Sequence, residues 1–329
     1  MKILECKIVK DNLLWLQLLM QAYLKGDQGF NIMQDRKIFQ LSQGEWALVG
    51  VTMIWGTTFL IIRNALDVTG PLFFVGLRFG SAALALILIS LPILRGLTLH
   101  ELFAGFMIGV ALLGSYGLQT FGLISIAASK SAFITAFYVP TVPLLQWIFM
   151  RRRPGGMAWL GIGCALVGLI LLAGPDDVSP GFSTGELLTL LGAVACALEI
   201  LFIGYFAGSV NVRRVTVVQV AVTSILSFSL MPVAGESVPE FSWLLACSAC
   251  GLGLATALIQ LVMNWAQKSI SPTRATLIYA GEPVWAAVFG RMAGEKLPFL
   301  GLVGGALVVA GVLISSLRPR RGKDEKTAS

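Results

Sequence analysis

Charge is scarce in this sequence. Asp, Glu, Lys and Arg make up 12% of 329 residues, about half the share usual in soluble domains, and that deficit excludes an ordinary water-solvated globule. Histidine is scarcer still. The one imidazole is His100, read as lying between spans, so no metal cluster can be assembled around histidines, and hydrolysis by a His-based triad or by zinc loses its main ingredient. The five cysteines, Cys6, Cys164, Cys196, Cys247 and Cys250, are odd in number and four lie inside apolar stretches, which argues against a disulfide framework. Cys247 and Cys250 spell C-x-x-C, but their context LLACSACGLG reads as a membrane-helix run of small residues. No Walker-type glycine loop, no paired carboxylates of a soluble cleft and no nucleic-acid patch occurs. Neither a cofactor nor a metal nor a nucleic-acid partner is therefore expected, and the chain is not expected to be an enzyme.

What is present is apolar sequence, 56% of the chain, with a mean hydropathy of +0.82. Windows long enough to cross a bilayer as helix, about 20 residues each, number ten: 46–65, 70–93, 102–122, 129–149, 156–173, 186–206, 215–234, 242–264, 273–293 and 297–317. The 36 glycines suit close helix packing in lipid. With a cytoplasmic N-terminus, fifteen basic residues face inward: Arg36, Lys37, Arg95, Arg151, Arg152, Arg153, Arg213, Arg214, Lys268, Arg274, Arg318, Arg320, Arg321, Lys323 and Lys326. Only Arg63, Lys130, Arg291 and Lys296 face outward. The imbalance places both termini in the cytoplasm, and an even span count agrees with it. The net charge of +7 thus reports topology.

Residues 1–32 fit poorly. Leu13 to Leu24 is apolar for twelve residues, about 18 Å as helix, too short for a core of about 30 Å. This extension is read as an interfacial segment or the product of an upstream start codon, with Met33 opening the protein proper. Residues 318–329 read as a disordered cytoplasmic basic tail.

Between these ends the chain repeats itself. Gly44-Glu45 opens the first span as Gly185-Glu186 opens the sixth, and the same offset of 141 maps Arg78 onto Gln219. At 143, Pro140 maps onto Pro283, Gly161 onto Gly304 and Gly168 onto Gly311. Five spans separate the copies, and five is odd, so the second copy runs through the membrane inverted. The expected fold is an all-α polytopic membrane protein of ten transmembrane helices, built as two inverted five-helix repeats over 33–173 and 174–317. Such pairs are the architecture of secondary transporters, in which two nearly equivalent packings open one central site to either side.

The chain resembles ten-helix members of the drug/metabolite transporter superfamily, EamA type, over residues 33–317. The likeness rests on Trp55-Gly56-Thr57-Thr58-Phe59, Leu77-Arg78-Phe79, the stretch Ile124 to Pro140, Gly185-Glu186-Leu187, Glu282-Pro283, Gly294-Glu295 and the closing GLVGGALVVAGVLI. It implies two five-helix repeats around a cavity, a place in the bacterial inner membrane, and export of amino acids, other small metabolites or toxic compounds. Where the family often carries Gly-Glu at the end of span 4, this chain reads Arg151-Arg152.

Ionisable side chains within a span cost several kcal/mol unless they meet a cavity or a partner, which makes each a candidate for function. Three qualify: Arg78, Glu199 and Glu282. Glu282 stands beside Pro283, whose missing N–H frees a carbonyl at depth; the competing reading ties this Glu to a neighbouring helix as structural glue. Glu199 is read as a proton carrier, or else as a permanently protonated, lipid-shielded acid. Arg78 is read as structural charge balance for an acid, or as a cap on helix carbonyls, ahead of substrate binding. Trp55, Thr58, Tyr138, Gln260, Asn264, Trp265 and Tyr279 lie in spans that the repeat brings to the centre, where they offer stacking faces and hydrogen bonds to a small solute.

The pairs Gly76/Gly80, Gly105/Gly109 and Gly301/Gly305 read as packing within the chain, with a homodimer seam along spans 5 and 10 as the alternative; the expected state is a monomer or weak homodimer, its partners a small-molecule solute and the lipid bilayer. The leading reading is a secondary active transporter working by alternating access, with proton coupling through Glu199 or Glu282. An integral membrane enzyme on lipid-linked substrates would need Asp, His or Arg clustered at one face, and a passive channel a lined pore and usually a symmetric oligomer.

Overall fold

In the computed structural model the described residues are 41–126, 128–151, 153–173, 183–292 and 299–316. They form helices and no strand: α1 Gln43–Leu66, α2 Pro71–Leu94, α3 Leu99–Gly122, α4 Ala128–Thr135, α5 Tyr138–Met150, α6 Gly156–Ala173, α7 Thr184–Phe206, α8 Val212–Leu230, α9 Trp243–Ala266, α10 Pro272–Tyr279, α11 Glu282–Met292 and α12 Phe299–Ser316. The N-terminal extension and the basic tail lie outside the described residues.

Local sequence explains where the helices start. Ser42 with Glu45, Thr98 with Glu101 and Ser183 with Glu186 close reciprocal capping boxes, which satisfy orphan N–H donors of the first turn. Pro71 and Pro272 stand where a helix has no use for their missing N–H. Glu236, from the loop after α8, accepts 3.0 Å bonds from the backbone N–H of Leu72 and Phe73 and so caps α2 from the other repeat.

Two expected spans, 129–149 and 273–293, are not continuous helices. Each is broken, between α4 and α5 and between α10 and α11. Pro140 and Pro283 have no N–H to give the carbonyls of Ala136 and Tyr279, four residues earlier, and the helix turns tighter just before each. The two breaks occupy the same repeat position. Counting each broken pair as one span gives ten, and six described spans meet the length and hydropathy needed to cross a bilayer, including 131–150 across the first break. Apolar side chains such as Leu84, Leu88, Ile89, Ile148, Phe149 and Ile170 are exposed on the outside, as a lipid-facing surface requires.

The halves pack reciprocally. A Cβ at Gly168 would lie 2.6 Å from the Gly304 carbonyl oxygen, and a Cβ at Gly311 would lie 2.6 Å from that of Gly161. Since 161 pairs with 304 and 168 with 311 in the repeat, the contact of α6 with α12 is its own mirror under exchange of halves. It also runs antiparallel, as does α2 against α8, where Gly76 meets Phe228 and Gly80 meets Ser224. In both pairs a helix opposes its own repeat mate, running the other way, as inversion of the second copy demands. The same exchange relates Gly109, against the Gln219 carbonyl at 2.7 Å, to Gly253, against the Arg78 carbonyl at 2.6 Å. The paired glycines Gly76/Gly80 and Gly105/Gly109 therefore serve contacts within the chain, and spans 5 and 10 meet each other in one copy. Side chains of both halves, among them Leu48, Trp55, Ile108, Val142, Ile200, Ile259 and Tyr279, share one buried core.

Candidate functional site

A row of polar side chains sits at the middle of this packing, all buried. Asn264 Nδ2 donates to Gln219 Oε1 at 3.1 Å, Gln219 Nε2 donates to Gln260 Oε1 at 2.7 Å, and Gln260 Nε2 donates to Glu199 Oε1 at 3.0 Å. Asn264 also donates to the Gln260 carbonyl at 2.8 Å. The row crosses α8, α9 and α7, and each member is at most 3% exposed. Buried amides in such surroundings must find partners or lose stability, and here both edges of Gln219 and of Gln260 are used.

Beside this row stand aromatic rings from both halves. Trp55 Nε1 donates to the Tyr116 hydroxyl at 3.1 Å, and its ring meets Tyr279 edge-on with centroids 5.3 Å apart. Tyr279 in turn accepts from Gln267 Nε2 at 3.4 Å. Arg78 lies under Tyr116, its guanidinium carbon 4.9 Å from the ring centroid, and its Nε donates to Thr256 Oγ1 at 2.8 Å.

The sequence reading set Arg78 against an acid or against helix carbonyls, and the structure gives it these neighbours. Among the described residues Arg78 makes no ion pair, and its Nη2 has no hydrogen-bond partner. The hydroxyl of Thr256 and the face of Tyr116 lie against it, and among the described residues it donates to no helix carbonyl. Only neutral groups, a ring quadrupole and one hydroxyl, lie against its positive charge among the described residues.

Glu282 begins α11, directly after the break before Pro283. It is 9% exposed, and nothing among the described residues hydrogen-bonds its carboxylate, so the reading of Glu282 as glue to a neighbouring helix finds no partner to bond. Tyr138, at the start of α5 after the mate break, and Cys196 of α7 are close enough to feel its charge. The Tyr138 hydroxyl is buried without a partner among the described residues. The two broken helices therefore bring an acid and a phenol to the centre from opposite halves.

Two expected members stand apart from this group. Thr58 is buried, but its hydroxyl donates to the Trp55 carbonyl at 2.9 Å within α1. Trp265 packs half-buried against the core near the end of α9 and takes no part in the bonded row. Three side chains that the sequence reading passed over belong here: Tyr116, Gln219 and Thr256. Gln219 was within reach, because the repeat sets it opposite Arg78; Tyr116 and Thr256 give no signal beyond being polar in an apolar span.

Two clefts lie at one end of the bundle. A cleft of about 250 Å³ is lined by Gln146, Arg153, Ser271, Thr273, Arg274 and Leu277 among others, and a second of about 200 Å³ by Gln146, Met150, Gly204, Gln267 and Lys268 among others. At the same end Arg274 Nε donates to Glu45 Oε1 at 2.6 Å and its Nη1 to the Val312 carbonyl. Arg214 pairs with Glu101 at 3.3 Å and donates to the Ile93 carbonyl at 2.8 Å. Both pairs join the first half to the second.

Comparison with known proteins agrees with this architecture. The chain is 30% identical over 272 residues to an uncharacterized transporter of Archaeoglobus fulgidus, covering 82% of this chain and 84% of that one. It is 28% identical to the uncharacterized inner membrane transporter YedA of Escherichia coli, covering 82% and 89%. It is 26% identical to a protein of Streptantibioticus cattleyicolor named "probable terminal-alkyne amino-acid exporter", covering 85% and 95%. A crystal structure with 18% identity superposes at a TM-score of 0.69 over 84% of this chain and 99% of its own, which bears on the fold alone. The profile of the EamA-like transporter family matches twice, at 42–174 and at 183–317. With most of its length covered by those two matches, this multi-pass membrane protein belongs to the EamA-like transporter family.

Proposed function

We propose that the chain is a secondary active exporter that carries amino acids or related small metabolites out of the cytoplasm across a bacterial inner membrane, with both termini inside. The observation that carries this reading is the mirror packing of the two halves around a buried polar centre. Two arrangements of nearly equal energy can then exchange, each opening the centre to one side. The resemblance to a named amino-acid exporter supports the cargo class, and the basic residues at the ends of α2, α5 and α9 support the orientation.

In this reading Trp55, Tyr138 and Tyr279 give the cavity its stacking and hydrogen-bonding walls. Asn264 and Gln260 supply amide edges, while Thr58 and Trp265 fill the rim. Glu282 and Glu199 are the two acids that a proton can visit when the cavity changes sides. The clefts on either side of Gln146 mark the cytoplasmic approach, and the Glu45–Arg274 and Glu101–Arg214 pairs hold that end together until solute enters.

Uptake of labelled amino acids into everted vesicles, with and without an imposed proton gradient, tests the proposal. Counterflow without bulk conductance, accelerated by the gradient, is the expected result. Ionic current, or turnover of lipid-linked substrate, would overturn it.

A further inference from the structure

We infer that Arg78 is the anchor for a carboxylate on the transported solute, an inference that rests on the carrier reading above. Arg78 is 2% exposed, and its guanidinium lies between α2, α3 and α9. A charge placed there is costly unless an opposite charge meets it, and arginine keeps its proton where a lysine would shed it. Neither central acid meets that need. Glu199 spends an oxygen on Gln260, and Glu282 bonds nothing among the described residues.

The groups around Arg78 hold it in place and leave one edge unused. Thr256 takes Nε at 2.8 Å, and Tyr116 covers the flat face at 4.9 Å. Tyr116 is itself held by the Trp55 indole at 3.1 Å. Side-on approach of a carboxylate through Nε is thereby blocked, and stacking is taken. The terminal edge remains, where Nη2 is buried without an acceptor. Two terminal nitrogens match the spacing of two carboxylate oxygens, a planar fit that a halide or a neutral amide cannot make.

The location also matches a carrier. Arg78 is the repeat mate of Gln219, and Gln219 already has two side-chain partners. The same position thus holds a closed amide contact in one half and an open cation in the other. A pseudo-symmetric cavity acquires polarity this way: an anionic end of the solute belongs on the α2 side, and a cationic or hydrogen-bonding end on the side of Glu199 and Glu282.

Thermal unfolding of the purified full chain in detergent tests the assignment with matched probes. The carboxylates are hexanoate, benzoate, leucine and phenylalanine; their counterparts are hexanamide, benzamide, leucinamide and phenylalaninamide; chloride and phosphate at equal ionic strength are the anion controls. At least one carboxylate is expected to raise Tm with dose while its amide and the inorganic anions do not. Arg78→Lys, which keeps the charge and loses the fork, should raise the half-protecting concentration roughly tenfold. Thr256→Val should weaken protection, and Thr256→Ser should restore it; these variants keep the test open if Arg78→Gln fails to fold. Equal protection by the amides, by chloride or by phosphate, protection of Arg78→Lys at the wild-type concentration, or no protection by any carboxylate would each overturn the assignment. Counterflow of the protecting carboxylate in proteoliposomes separates the two readings: binding without flux removes the carrier and leaves the anion site, whereas flux of amides alone removes the anion site and leaves the carrier.

Discussion

Gln260 donates its side-chain amide to the Glu199 carboxylate at 3.0 Å, joining the one acid of α7 that lies at membrane depth to the polar face of α9. In the exporter proposed here that contact is the proton's address. Glu199→Gln keeps the shape and a hydrogen-bond partner while removing the titratable group. The variant should fold, exchange solute across the membrane, and lose acceleration by a proton gradient. Coupling free energies of about 1–3 kcal/mol put the lost acceleration at about 5–150-fold. Counterflow with and without the gradient measures it, and a gradient response equal to wild type would assign coupling elsewhere.

Glu282 makes a different prediction because, among the described residues, its carboxylate has no bond to lose. Glu282→Gln should leave thermal unfolding within about 0.5 kcal/mol of wild type while impairing transport. Full activity in that variant would remove Glu282 from the mechanism.

The mirror contact of α6 with α12 predicts paired effects. Gly168→Ala and Gly311→Ala each push a methyl to within 2.6 Å of a backbone carbonyl oxygen, so each should destabilise by about 1–3 kcal/mol. The two costs should be alike, since one contact is the image of the other. Unfolding in graded denaturing detergent measures both, and a large loss from one with none from the other would contradict the reciprocal packing.

Arg151 predicts a gain. It ends α5 with φ of +53°, in the left-handed region that side chains resist and glycine adopts freely. Arg151→Gly should stabilise the protein by about 1 kcal/mol, read as a higher Tm with transport retained. A lower Tm would mean the guanidinium has a compensating role.

The pair at the proposed cytoplasmic end gives a test of gating. Arg274→Gln removes the charged bond to Glu45 and should favour the state open at that end. In a cysteine-free background, Leu277→Cys, on the buried wall of the adjoining cleft, should react with a thiol reagent roughly tenfold faster when Arg274→Gln is added, as loss of about 1.5 kcal/mol requires. An unchanged rate would show that this pair does not hold the end closed.

Much of this arrangement can be read from residues alone, for identifiable reasons. Hydrocarbon forces every span to be an uninterrupted apolar helix or to break at a proline, so the windows around 102–122 and 186–206 fall close to α3 and α7. The glycine register at Gly161, Gly168, Gly304 and Gly311 declared the repeat because only glycine tolerates helices that close. The partner of Arg78 was not legible. Thr256 is 178 residues away, and a threonine in an apolar helix ordinarily bonds its own backbone, as Thr58 and Thr223 do. Ranking candidates by formal charge also favoured the acids over Gln219, although a neutral amide is the joint between Asn264 and Gln260.

The row from Asn264 to Glu199 has a sense of direction. Every amide in it offers hydrogens on one edge and an oxygen on the other, and a Glu199 carboxylate in its ionised form, able only to accept, sets the way all three point. Should that carboxylate take up a hydrogen and hand it to Gln260, the whole file would turn over, and three helices would register a single proton as the reversal of one dipole string.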